Sequence, residues 1–182
     1  MASMTGFTCQ NLVADQVYAV FPLVREVVSG LDLKSWSRMA RRLVNARRAT
    51  HEGIRVILRL PRRLPCGLFL YHREIDLVHG PILVAEHLIA VDVLDPDTVM
   101  QALIADLEAL AERLGCTATR TMVFGQVTLA ASGLYAAGHR PEGAALWKPL
   151  EDPPAPPQGV GRAEGAAPVG GGGGGVGGGG PA

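Results

Sequence analysis

The chain is short of lysine, aromatic residues and cysteine, and each shortage excludes something. Only Lys34 and Lys148 are lysines, so the positive charge is nearly all arginine; we ascribe that to composition before function. Aromatic residues make up 5% of the 182 positions, too few for the interleaved basic and aromatic surface of a single-strand nucleic-acid platform. Cys9, Cys66 and Cys116 are odd in number and far apart, which leaves no disulfide framework and no C-x-x-C metal knuckle. No apolar run reaches the length of a membrane span, and the start lacks a basic-then-apolar signal segment, so a cytoplasmic protein is the expectation. Neither a G-x-S-x-G elbow nor a G-x-x-x-x-G-K-[ST] loop is present. The length suits one domain with a sizeable core.

What the chain does have is a divided charge. Net charge is zero, yet nine arginines and one acid, Glu52, lie between Arg38 and Arg63, giving +9 − 1 = +8. Between Glu74 and Glu112 there are nine acids and no Lys or Arg, giving −9. Either the two stretches pack against each other, or the basic one meets a polyanion. The lack of aromatics and of helix-turn-helix punctuation argues against nucleic acid.

Periodicity divides the chain into elements. "GFTCQNL" reads as a short strand and "ADQVYAVFPLVREVVSG" as a helix closed near Gly30. "DLKSWSRMARRLVNARRA" is a second helix, with Trp36, Met39, Ala40, Leu43 and Val44 on one side and Arg38, Arg41, Arg42 and Arg48 on the other. Three strands follow, over 53–60, 65–78 and 81–94, most simply as an antiparallel meander. Asp95-Pro96-Asp97 then starts a helix by three signals: a capping acid, a proline for the first position and an acid for the positive end of the dipole. Val99, Leu103, Leu107, Leu110 and Leu114 mark its buried stripe, and Gly115 ends it. "CTATRTMVF" reads as a strand, "GQVTLAASGLYAAG" as a short helix and 142–150 as a last strand in which Trp147 packs. From Pro153 the composition collapses to Pro, Gly and Ala. Residues 151–182 are therefore expected to be a disordered tail, and 1–150 the domain.

This order predicts an α+β fold with a mixed, mostly antiparallel sheet flanked by helices. Over roughly residues 5–150 it resembles the GNAT superfamily, the acetyl-CoA-dependent N-acyltransferases. Two local patterns carry the resemblance. "ALIADLEALAERLGC" looks like the family's cofactor helix and the strand after it. "ASGLYAAGHRPEG" is similar to its Ala-x-x-Leu-Tyr-x-x-x-Gly-Phe segment, although His139 replaces the Phe and Thr128 stands where Asn is common.

The resemblance implies transfer of an acetyl or acyl group from acyl-CoA to an amine of a small molecule or protein. Tyr135 would give a proton to the leaving thiolate, a task a phenol can perform; the plain alternative is a tyrosine packed under the sheet with its hydroxyl at the rim. A base is implied on strand 81–94. Glu86 is preferred and His87 is the substitute; alternation places Glu86 and Asp92 on one face and His87 on the other. A solvated glutamate is the plain reading of Glu86. Acetyl-CoA would lie along Val91 and Val93 and against the start of the helix at Thr98 and Val99. No metal is implied: His72, Glu74 and Asp76 alternate along one strand face, but a site would need a further ligand. A homodimer is compatible with the resemblance.

The junction at 95–100 departs from the family, which places glycines there so that backbone N–H groups and the helix N-terminus wrap a diphosphate. "DPDTVM" has no glycine, Pro96 offers no N–H, and two acids add negative charge. Weak or absent acetyl-CoA binding is the expectation, and a catalytically inactive binding or regulatory module is the alternative to an enzyme.

Overall fold

The computed structural model describes residues 6–92, 95–124, 127–146 and 148, the side chains of 47–50 excepted. The chain divides into one compact unit, Met1–Glu142, and a second, Gly143–Ala182. In the second unit the described residues, 143–146 and 148, are exposed and form neither helix nor strand. Among the described residues of 142–150 the expected strand is not formed. Gly143 takes a left-handed backbone (φ 70°), which interrupts extension, and the Leu146 side chain is exposed. Trp147, Pro149, Leu150 and the expected tail at 151–182 lie outside the described residues.

Five strands lie side by side in chain order: β1 (Phe7–Asn11), β2 (Glu52–Arg59), β3 (Leu64–Asp76), β4 (Gly80–Ala90) and β5 (Ala118–Met122). The first four pair antiparallel, as the meander predicts, and β5 joins β4 in parallel. A parallel neighbour needs a crossover, which α3 (Pro96–Arg113) supplies. The remaining helices are α1 (Phe21–Val27), α2 (Leu33–Thr50) and α4 (Val127–Ala136).

The helix expected over 14–30 is shorter than its pattern. Ala14–Gln16 form a 3-10 turn, and α1 starts only at Phe21 with Pro22 in its first turn. Proline lacks the N–H that a helix interior needs and its ring clashes with the carbonyl four residues back, so helix can begin at Pro22 but not pass through it. Val17 and Val20 are nonetheless fully buried. Burial set that spacing, and proline set where the helix could start.

The sheet has a core on each face. On one, Ile57, Phe69, Leu83, Ala85, Leu88 and Ala90 meet Val99, Met100, Leu103 and Leu107 of α3, with Ala130 and Leu134 of α4. Gly67 lets α3 approach closely: a Cβ there would stand 2.9 Å from Val99 Cγ1 and 3.2 Å from Leu103 Cδ1. On the other face Ile54, Val56, Leu58, Leu68 and Ile89 meet Leu23, Val24, Trp36 and Ala40 of α1 and α2. Trp36 is wholly buried, and its indole N–H donates to the Val17 carbonyl at 2.7 Å.

The opposed charge blocks do meet. Arg55 donates from Nε and Nη2 to both Asp106 carboxylate oxygens at 2.6 Å, tying β2 to α3. Arg59 pairs with Asp92, just beyond β4. Arg38, Arg41 and Arg42 of α2 and Arg62 and Arg63 of the β2–β3 turn are exposed. Internal pairing therefore accounts for part of the basic stretch.

Candidate functional site

The strand-to-helix junction is built as Asp-Pro-Asp implies. Asp95 caps α3: its Oδ1 accepts from the Thr98 backbone N–H at 3.0 Å, and its Oδ2 accepts from the Thr98 hydroxyl. The hydroxyl bond first, and the N–H bond next, hold the Asp95 carboxyl below its usual range. The Asp95 N–H donates to Asp92 Oδ1 at 3.0 Å, while the other Asp92 oxygen takes Arg59. Pro96 fills the first turn without an N–H, and Asp97 stands exposed beside it.

The positions implied for a cofactor sit as follows. The Val91 N–H donates to the Cys66 carbonyl at 2.8 Å, and its side chain packs against the α1/α2 core. Val93 lies outside the described residues. Thr98 gives both its N–H and its hydroxyl to Asp95. Val99 is fully buried in the core.

The second feature is where β4 and β5 part. Their pairing ends at Glu86 opposite Met122. At the same level the β3–β4 register shifts: Leu70 pairs with Glu86 but Leu68 with Ile89, so His87 and Leu88 face one residue of β3. This is a β-bulge, and His87 adopts φ 52°, uncommon for a non-glycine residue. Its ring lies on Phe124, centroids 4.9 Å apart and planes at 32°. His87 Nδ1 is buried with no partner among the described residues. The ring pair thus bridges the gap at which the backbone ladder stops.

The bulge overturns the expected alternation. Ala85 faces α3, so Glu86 faces the α1/α2 side. Past the bulge Leu88 and Ala90 face α3 again, which puts Asp92 on that side, where Arg59 meets it. Glu86 and Asp92 are on opposite faces, because one extra residue reverses the phase. Glu86 is half-buried at the mouth of the gap.

Tyr135 is on α4, 59% exposed, and lines a cavity of about 420 Å³ with Thr119 and Thr121 of β5, Val123 just past it, and Leu134, His139 and Glu108. His139 Nε2 stands 3.5 Å from Glu108 Oε1, and Thr121 Oγ1 is buried without a partner among the described residues. Two residues separate Tyr135 from Gly138, one fewer than in the family pattern. Glu86 and Tyr135 lie on opposite sides of the sheet, with the β4–β5 gap between those sides. Phe124 and the Asp92–Arg59 lock escaped the sequence reading; the one signal for the lock was the opposed charge blocks.

Glu74 and Asp76 are committed elsewhere. Arg120 donates to Glu74 Oε1 at 3.0 Å and to Asp76 Oδ2 at 2.6 Å. His72 Nε2 is 3.4 Å from Glu74, and His79 Nε2 is 2.6 Å from Glu142 Oε1. Among the described residues no group of three or more His, Cys, Asp or Glu is placed to hold a metal, and no helix is long and apolar enough to cross a membrane.

No protein-family model matches the chain, and no curated protein matches it in sequence. Solved structures do. Aminoglycoside N-acetyltransferase AAC(6')-Iy in complex with CoA is 12% identical with a TM-score of 0.66, over 82% of this chain and 99% of that one. Glucosamine-6-phosphate N-acetyltransferase from Arabidopsis thaliana is 11% identical with a TM-score of 0.61, over 80% and 99%. Aminoglycoside 6'-N-acetyltransferase AAC(6')-Ih from Acinetobacter baumannii is 12% identical with a TM-score of 0.63, over 80% and 99%. The chain has the GNAT fold. Identity this low speaks for the fold and not for the reaction.

Proposed function

We propose that this protein transfers an acyl group from an acyl thioester to an amine. The observation that carries the reading is the gap between β4 and β5, which opens just past Glu86 and Met122. A half-buried carboxylate stands at its mouth on the α1/α2 side, and α4 with Tyr135 lies on the other side. The fold likeness to N-acetyltransferases, one of them holding CoA, supports it. The thioester, acyl-CoA in the neighbours' chemistry, would be a substrate, consumed in the transfer.

In this reading Glu86 takes a proton from the incoming amine, directly or through water, so that the nitrogen lone pair can attack. The phenol of Tyr135 gives its proton to the departing thiolate and is refilled from solvent. The acceptor is a small-molecule or protein amine. A second reading, an inactive binding module on the same fold, is favoured by the occupied N–H groups and the acids at the start of α3.

Thiol release from acetyl-CoA and from S-acetylpantetheine, with a panel of primary amines, tests the proposal. Tyr135→Phe should lower the rate at least about tenfold while leaving the melting temperature unchanged, because the exposed phenol has no hydrogen bond among the described residues. No thiol release above the blank from either donor would favour the module.

A further inference from the structure

The start of α3 identifies the class of donor. A diphosphate is held at a helix N-terminus by backbone N–H groups that point at it and by the positive end of the dipole. Here most of those resources are spent within the chain. The Asp95 N–H goes to Asp92, the Thr98 N–H goes to Asp95, and Pro96 has none. Asp95 and Asp97 place two carboxylates where the helix favours negative charge, so the dipole is already answered. Arg59, the guanidinium beside the junction, is committed to Asp92. A diphosphate arriving here would meet like charge and few open donors.

The gap between β4 and β5 is different. Beyond Glu86 and Met122 the two strands no longer pair with each other. His87 Nδ1 is buried with no partner among the described residues, and the Phe124 ring provides an apolar wall. A neutral arm bearing amides, as pantetheine does, can use such groups. We infer that the donor is an acyl thioester on a neutral, amide-bearing arm of the pantetheine type, with no nucleotide diphosphate, and that acyl-CoA is disfavoured. The inference rests on the acyl-transfer reading and narrows it.

One competing feature lies at the same end of the sheet. Arg62 and Arg63 stand exposed in the β2–β3 turn, Arg63 bonded to Gln10 at 2.8 Å. If they caught the diphosphate, acetyl-CoA would bind well in spite of α3.

The test is calorimetric titration of the full chain with S-acetylpantetheine and with acetyl-CoA, at about 0.01 M and about 0.15 M salt. S-acetylpantetheine should bind as tightly as acetyl-CoA or tighter, and raising the salt should narrow its advantage by screening the acids. Asp97→Asn, which keeps the Asp95 cap, should strengthen acetyl-CoA binding about two- to fivefold and leave S-acetylpantetheine unchanged. Acetyl-CoA binding tenfold tighter than S-acetylpantetheine would overturn the inference. Loss of that advantage in Arg62→Ala/Arg63→Ala would trace it to the turn. If neither thioester binds, the acyl-transfer reading falls and takes this one with it, whereas tight acetyl-CoA binding overturns only the donor class.

Discussion

The Arg55–Asp106 pair is the strongest single tie between the sheet and α3, and removing half of it should be costly. Both side chains are 9% exposed, and two 2.6 Å bonds join guanidinium to carboxylate edge to edge. Among the described residues Arg55 has one further side-chain partner, Asn11 Oδ1, at 3.3 Å. Asp106→Ala strips away the carboxylate and leaves the guanidinium inside the α3–sheet contact beside that long bond. Breaking a buried pair in this way costs about 3–5 kcal/mol, a large share of the roughly 5–15 kcal/mol that holds an ordinary domain together. In melting temperature the loss is on the order of 10 °C. Replacing both partners, as Arg55→Met/Asp106→Leu, removes the stranded charge with the pair and should return stability to within about 1–2 kcal/mol of the starting protein. Urea unfolding of the four proteins closes the cycle and isolates the coupling. If Asp106→Ala cost less than about 1 kcal/mol, as an exposed ion pair would, the pair would be hydrated and the reasoning wrong.

Two further outcomes can be checked on the same protein. Gly67→Ala should destabilise by about 1–3 kcal/mol, read by the same unfolding assay, because the new Cβ would press on Val99 and on the Ile89 carbonyl at 3.1 Å. Stability should fall as the pH drops below about 4. The Arg120 hydrogen bond first, then the His79 and Val78 N–H groups, hold the Asp76 carboxyl far below its usual range, so its contribution is present above the unfolded carboxylate pKa and lost on protonation. Asp76→Asn should flatten that acid limb in a melting-temperature series from neutral pH downward.

The parts that could be read from the sequence were those with one dominant signal. The meander showed as apolar runs between turn residues, and α3 was marked by its cap, its proline and a stripe of five apolar residues, of which Val99, Leu103, Leu107 and Leu110 are buried and Leu114 half-buried. The start of α1 was misread because Val17 and Val20 keep helical spacing while buried outside a helix. The bulge could not be seen. Both faces of β4 are covered, so Leu88, Ile89 and Ala90 are all apolar and show no alternation whose phase could be seen to change. That concealment carried into the site, where Glu86 and Asp92 were placed together and lie apart. Asp95 as a cap was legible locally. The commitment of Asp92 to Arg59 was not, since it depends on strand register.

The extra residue in β4 also separates the length of the strand from the facing of its side chains. Counting from Gly80, odd and even positions exchange meaning at His87, so the two halves of one strand obey opposite parity. A substitution past that point alters one side chain. Loss of His87 itself would leave the facing intact, because Ala85, Glu86, Leu88, Ile89 and Ala90 already alternate as a regular strand would; Arg59 would keep the carboxylate it holds, and what would go is the ring contact with Phe124. An alignment that opens a one-residue gap between Glu86 and Leu88 would therefore mark a protein with the same contacts to α3 but a regular β4, without the ring pair that stands where β4 and β5 part.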